Sequence, residues 1–372
     1  MEHNFVAAEG SLTPWRRNPE SIRTGLIAWC AEKLKGATLV ALDIPQGGMA
    51  NETALFSLDR GQGAERFVAR MAPLPASPYQ TFPVYDLELQ RRCIDLLSRE
   101  TDAPVPRVLQ VEQDPAWVGS PFMVMSFIEG RAPLDNPPYI FTGWLLEASA
   151  AERRHLQERS VEMLARIHRI TADRHDLGFF NQERWGASPL EQAFAYQRWL
   201  YDWAREGGRY PLVERMLDAL ARTLPENRDA VLTWGDARIG NILYRGFDPV
   251  AILDWEMAGV GPAEVDVGWM VFFHRMFQDM AERFGYPGLP DFMRPEDVVR
   301  VYEQTSGRTL QDLGWYQLFA AARFSILSIR TGLRSIAYGE AQRPDDPDDL
   351  LISRSLFERM LADHERQGCG QA

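Results

Sequence analysis

The spacing of apolar residues changes several times along this chain, and each change predicts a change of element. Over residues 21–35, Ile22, Leu26, Ile27, Cys30 and Leu34 recur at the three-to-four spacing of a helix face. Strand-like stretches follow at 38–44, 53–58 and 65–70, with the turn Pro45-Gln46-Gly47-Gly48 between the first two. This is the pattern of a small antiparallel sheet built from hairpins. A helix is predicted at 84–98, closed off by Pro104-Val105-Pro106, and strands at 108–111 and 122–127. Gly130 breaks the pattern, and from residue 152 onward helical periodicity dominates, at 154–169, 189–206, 211–223 and again towards the C-terminus. One interruption, 230–255, holds three short strand-like runs. The chain therefore reads as an α+β protein of two lobes. A β-rich N-terminal lobe covers 1–127, and a mainly helical lobe with a β insert covers 128–372.

Composition narrows the picture. With 372 residues, 45% hydrophobic and 25% charged, the chain resembles an ordinary globular protein large enough to need no covalent staples. Its three cysteines, Cys30, Cys93 and Cys369, lie far apart and form no metal-binding spacing. The odd cysteine number, and an N-terminus without a basic-then-apolar pattern, predict a reducing cytoplasm. No apolar run reaches the ~20 residues of a membrane span. A net charge of -12 argues against nucleic-acid and anionic-membrane partners. No G-x-S-x-G is present, which excludes the usual hydrolase elbow.

The chemistry concentrates in residues 231–262, where V-L-T-W-G-D-A-R-I-G-N-I-L-Y leads through a turn at 245–249 into V-A-I-L-D-W-E-M-A-G-V-G-P. Each polar residue of interest sits at the end of an apolar run: Asp236 after Leu232, Asn241 before Ile242, Asp254 after Leu253. Loops held by a buried scaffold are where reactive groups are displayed. The order is Asp, four residues, Asn, a hairpin, Asp, which matches the needs of phosphoryl transfer. One carboxylate accepts the attacking hydroxyl's proton. An amide oxygen and a second carboxylate are hard ligands for magnesium on nucleotide phosphates.

These segments resemble the catalytic loop and metal-binding segment of the aminoglycoside phosphotransferase and choline kinase superfamily, relatives of the protein kinases. W-G-D-x-R-x-G-N and L-D-W-E-M are similar to segments of bacterial proteins of that family and of the kinase-like domain joined to some acyl-CoA dehydrogenases. The resemblance covers nearly the whole chain and implies a protein-kinase-like two-lobed fold. It makes Asp236 the catalytic base, Asn241 and Asp254 the magnesium ligands, and Arg238 a group steadying the transferred phosphate. It implies ATP or GTP as co-substrate and a small hydroxylated acceptor. Most of the superfamily has histidine where this chain has Trp234, here expected to pack in the core. Asp266, in E-V-D-V-G-W, resembles an acid that braces the catalytic loop.

The nucleotide-holding half follows from the same likeness. Residues 47–53 resemble a G-G-x-S-N-x-T phosphate loop, with Gly47, Gly48, Asn51 and Thr53 present and Ala50 in place of the serine. Glycines let backbone amides approach phosphate closely. Arg70 occupies the place of the sheet lysine that holds the phosphates, and its helix partner is expected at Gln90, with Glu88 the alternative. Ser126 and Ile128 stand at the hinge strand, where backbone groups read adenine. His168 and His274, on apolar helices, read as satisfied core histidines. Trp199, Tyr201 and Trp203 read as core or pocket wall, and residues 344–349 as a solvated acidic loop before the last helix.

The function expected is transfer of a γ-phosphate to an aminoglycoside-like or other hydroxylated metabolite. Two alternatives remain: a hydroxyacyl thioester such as a hydroxyacyl-CoA as acceptor, and a non-catalytic nucleotide-binding module of the same fold.

Overall fold

The computed structural model describes residues 17–44, 52–61, 63–75, 77–226 and 229–369. Helix α1 (Pro19–Lys33) starts at an Asn18 cap whose side chain accepts from the Glu20 amide. Strands β1 (Thr38–Asp43), β2 (Glu52–Asp59) and β3 (Ala64–Met71) follow, then helix α2 (Leu87–Glu100), β4 (Val108–Glu112) and β5 (Phe122–Ser126). The five strands form one antiparallel sheet in the order β1-β2-β3-β5-β4.

Alternation decides which face of this sheet is covered by what. Ala54, Phe56 and Leu58 of β2, Phe67, Ala69 and Met71 of β3, and Phe122 and Val124 of β5 share one face, where α1 seals them with Ile22, Leu26, Trp29 and Cys30. On the opposite face Met123 and Met125 join α2 in the much larger core of the helical part. The sheet is thus cemented to the rest of the molecule through β5.

The helical part begins with α3 (Trp144–Glu147) and α4 (Ala150–Ile167), continues through α5 (Pro189–Ala204) and α6 (Pro211–Arg222), and ends with α7 (Glu264–Arg283), α8 (Pro295–Ser306), α9 (Leu313–Ala337) and α10 (Arg354–Cys369). Ser149 and Ser188 head α4 and α5 with reciprocal capping boxes to Glu152 and Glu191. No helix among the described residues is long and apolar enough to cross a membrane.

Between α6 and α7 lie four short strands, one more than the hydrophobic pattern predicts. β6 (Ala230–Thr233) pairs with β9 (Gly259–Pro262), and β7 (Ile242–Arg245) pairs with β8 (Asp248–Ile252). The sequence of β9, G-V-G-P, has the composition of a loop; its pairing with β6 makes it a strand.

A further connection ties the sheet side to the helices. The segment between β3 and α2 runs onto α9, where Arg330 donates from Nε to the Gln80 carbonyl (2.9 Å) and Arg334 donates to the Thr81 hydroxyl (3.4 Å). Arg330 also pairs with Glu206 and lies over the rings of Trp203 (4.1 Å) and Tyr79 (5.3 Å).

Candidate active site

The loop after β6 is pressed against the chain that follows β8. Gly235 has φ +88, and a Cβ there would stand 1.9 Å from the Met257 carbonyl oxygen, so only glycine fits. The loop then turns through a short 3-10 segment, Ile239–Asn241, into β7. The hairpin brings β8 back beside it, and the Leu253 amide donates to the Asn241 carbonyl (2.9 Å). Asp254 follows in the left-handed region, φ 63, a conformation uncommon for a non-glycine residue and frequent where side chains are aimed for function.

Five expected residues therefore come together. Asp236 accepts from Arg238 Nε on both oxygens (3.0 Å each), from Asn241 Nδ2 (2.7 Å) and from Trp269 Nε1 (2.8 Å). Arg238 also pairs with Asp135. Asp254 receives Arg70, which reaches across from β3 and bonds Glu256 as well (3.2 Å). Burial opposes the charge on Arg70 and on Arg238, yet their carboxylate partners hold both above the ordinary arginine range.

The loop is braced from below. Asp266 of α7 accepts from the Trp234 amide (2.6 Å) and the Gly235 amide (2.9 Å), and contacts His168 Nε2 (3.1 Å). His168 meets the Tyr302 hydroxyl through Nδ1 (2.7 Å), so it is a satisfied core histidine. His274 is likewise engaged, by Tyr139 (2.8 Å) and the Leu289 carbonyl (3.0 Å), and burial pushes it down to about 4. Trp234 is buried as expected and also works as a donor. Its Nε1 bonds the Leu253 carbonyl (2.8 Å) and approaches that of Asp254 (3.2 Å), stitching the two polar segments together.

The residues fit a magnesium-nucleotide in part. Among the described residues no group of three His, Cys, Asp or Glu side chains forms a self-sufficient metal site. Magnesium commonly takes one or two protein oxygens and completes its shell with phosphates and water. With Nδ2 of Asn241 given to Asp236, Oδ1 is the atom of that amide left for a cation to take.

Other expected residues stand apart. Thr53 lies opposite Arg70 in the β2–β3 register. Gly47, Gly48 and Asn51, with Ala50, lie outside the described residues. The expected Arg70–Gln90 contact is not formed: Gln90 is 1% exposed and neither end of its amide has a partner, while Arg70 turns to Asp254 and Glu256. Glu88 is not that partner either, since it pairs with Arg91 on its own helix. At the hinge, the Ser126 amide donates to Arg107 (2.9 Å) and its hydroxyl accepts from the Arg107 amide (3.0 Å). That N–H is therefore committed to β4, whereas among the described residues no hydrogen bond engages the Ile128 amide.

Two further expectations need amending. Trp199, Tyr201 and Trp203 do not form a cluster: Tyr201 is buried against Glu214, Trp203 lies under Arg330, and Trp199 joins Trp185 and Tyr196. The 344–349 loop is only partly solvated, because Asp348 is buried and caps α6 through the Leu212 amide (3.0 Å). Trp269, Asp135 and Glu256 are site neighbours that sequence reasoning missed. Trp269 alone left a signal, one helical turn beyond Asp266.

A profile of the phosphotransferase enzyme family matches residues 43–295. The chain belongs to that family. Among curated proteins it is 28% identical over 307 residues to the "Probable acyl-CoA dehydrogenase IBR3" of Arabidopsis thaliana, an alignment covering 77% of this chain and 35% of that one. The chain thus spans about a third of the length of this relative. Among solved structures it is similar to a provisionally named aminoglycoside phosphotransferase of Ralstonia eutropha JMP134, with a TM-score of 0.63, 21% identity and coverage of 95% and 99% of the two chains. It is also similar to the aminoglycoside phosphotransferase APH(4)-Ia in ternary complex with ADP and hygromycin B, with a TM-score of 0.52, 16% identity and coverage of 91% and 98%. At these identities the structural likeness is one of fold: the protein-kinase-like fold of small-molecule phosphotransferases.

Proposed function

We propose that this family member is an active kinase that transfers the γ-phosphate of ATP or GTP to a hydroxyl of a small molecule. The observation that carries the reading is the joining of Asp236, Asn241 and Asp254 into one hydrogen-bonded unit, through Asn241 Nδ2 on the one side and the Asn241–Leu253 backbone bond on the other. Asp236 holds the acceptor hydroxyl and takes its proton. Asn241 and Asp254 hold magnesium, which when bound offsets the charge of the nucleotide phosphates. Arg238, kept beside Asp236 by Asp135, steadies the transferring group. Arg70 and Thr53 face the nucleotide from the sheet, the 47–51 loop covers its phosphates, and the hinge at 126–128 reads its base. The lobes meet at 127/128.

Two acceptor classes are in play. Hygromycin B in the related complex supports an aminoglycoside-like acceptor. The acyl-CoA dehydrogenase names of the curated relatives support a hydroxyacyl thioester. The test is a mass-spectrometric search for phosphorylated products from pools of aminoglycosides, hydroxyacyl thioesters and common hydroxylated metabolites, with ATP or GTP and magnesium, and Asp236→Ala as the blank. Removing the base should cut turnover about 10²- to 10⁴-fold while nucleotide binding persists. A site that binds magnesium-nucleotide yet phosphorylates nothing would favour the non-catalytic module.

A further inference from the structure

Trp269 and Phe273 stand one turn apart on α7 with ring centroids 5.1 Å apart, and each carries a guanidinium. Arg238 lies 5.2 Å from the Phe273 ring and Arg323 lies 4.5 Å from the Trp269 ring. Asp236 sits between them, bonded to Arg238 on one side and to the Trp269 indole on the other. The two arginines differ in how they are used. Arg238 is engaged by Asp236 and Asp135. Arg323, 5% exposed in the middle of α9, makes one hydrogen bond, from Nη2 to the Gly235 carbonyl (3.2 Å), and its Nε and Nη1 are buried with no partner.

Leaving such buried donors unsatisfied is costly, so they are ordinarily paired. Steadying one carbonyl needs only one donor, so bracing Gly235 does not account for a guanidinium here. Burial lowers Arg323 to about 10, partly countered by Asp266 and Asp236, so it is charged at neutral pH. Beside it, α5 and the short 3-10 turn Glu183–Trp185 that precedes α5 carry an aromatic and basic group, of which Tyr196 is near enough to act on the Arg323 charge. Trp185, Tyr196 and Trp199 pack ring to ring at 5.3 to 5.6 Å, Arg184 lies over Trp185 at 5.1 Å, and Trp199 is 39% exposed.

We propose that Arg323 determines acceptor specificity: its free Nε–H and Nη1–H bind a carbonyl or carboxylate oxygen that the acceptor carries near the hydroxyl held by Asp236. This rests on the kinase reading above and narrows it. The acceptor class is a neutral or anionic hydroxy compound bearing a carbonyl group. A polycationic amino sugar would set ammonium groups against a buried guanidinium, a repulsion that low dielectric strengthens. A nucleotide phosphoryl oxygen offers the same hydrogen-bond acceptors. Arg323 belongs instead to the helical side, with α5 and α7, whereas the sheet contributes Arg70.

The test is calorimetric titration of the full chain, with magnesium and AMP-PNP present, using 3-hydroxybutyrate, its N-acetylcysteamine thioester, and kanamycin as probes. The proposal expects at least one carbonyl probe to bind more tightly than kanamycin. Arg323→Gln should weaken that probe about 10- to 100-fold, the worth of a charged hydrogen bond, without changing magnesium–AMP-PNP affinity. Arg323→Lys keeps the charge and N–H donors but not the planar fork, and should recover part of the loss. If Arg323→Gln melts early, Arg323→Lys carries the comparison. Failure of both carbonyl probes to bind, kanamycin binding tightest, or unchanged probe affinity in the variants would each overturn the proposal. So would a matching loss of AMP-PNP affinity in a folded variant, which would assign Arg323 to the nucleotide. Binding is read without turnover, so an Arg323-dependent effect on a probe that yields no phosphorylated product when ATP or GTP replaces AMP-PNP would sink the kinase reading and leave the subsite standing.

Discussion

At the scale of single residues, Trp234 stands where relatives of the chain are expected to have histidine, and its indole supplies a donor to the Leu253 carbonyl. Trp234→Phe keeps the bulk and removes that donor. It should cost about 0.5–1.5 kcal/mol in urea denaturation, the worth of one partly buried hydrogen bond, and lower turnover more than nucleotide affinity. His274 gives a pH prediction. Its folded pKa of about 4 lies below the 6.5 of an unhindered histidine, so the unfolded chain binds a proton first as pH falls. Its contribution is therefore intact above about pH 6.5 and is lost progressively down to about pH 4. Between pH 7 and pH 5 the loss is about 2 kcal/mol, and it should vanish from the same urea comparison in His274→Gln. Asp236, Asn241 and Asp254 were legible because each borders an apolar run. Arg323 and Asp135 were not, since nothing local distinguishes an arginine in an apolar helix or an aspartate before a proline-rich turn from structural residues.

At the scale of elements, the sheet and most helices follow from period and caps, with ends shifted by a few residues. The fourth strand of the insert escaped, because glycine and proline carry no strand signal and β9 exists only through its pairing with β6. Helix α7 organises the site more than its sequence suggests. One turn supplies Asp266 to the loop amides and Trp269 to Asp236. Asp266→Ala strands two backbone amides and the His168 contact in the core. It should destabilise the protein by about 3–5 kcal/mol, with lower thermal and urea midpoints. The partner of Arg70 was misassigned to α2 because the likeness supplied only the position of a glutamate that this chain lacks. The actual partners, Asp254 and Glu256, lie far away in sequence on the segment after β8.

At the scale of the whole molecule, the sheet is fastened to the helices by the β5 face and by the 79–81 segment on α9. Arg330→Ala should weaken the second fastening, leaving only the Arg334–Thr81 contact, lower the melting temperature, and expose 79–86 to limited proteolysis before the core is cut, because the bond to the Gln80 carbonyl and the tie to Glu206 through that guanidinium are lost. The β3-to-α2 connection reads as an ordinary loop in sequence; its anchorage is visible only once α9 is in place. That anchorage also has a temporal side. Gln80 and Arg330 are 250 positions apart. At bacterial-to-eukaryotic synthesis rates of about 5–20 residues per second, the segment leaves the ribosome on the order of tens of seconds before its partner helix exists. A nascent chain stalled before α9 should therefore carry a formed sheet with a protease-sensitive 79–86 segment, and the same segment should become resistant once Arg330 has emerged.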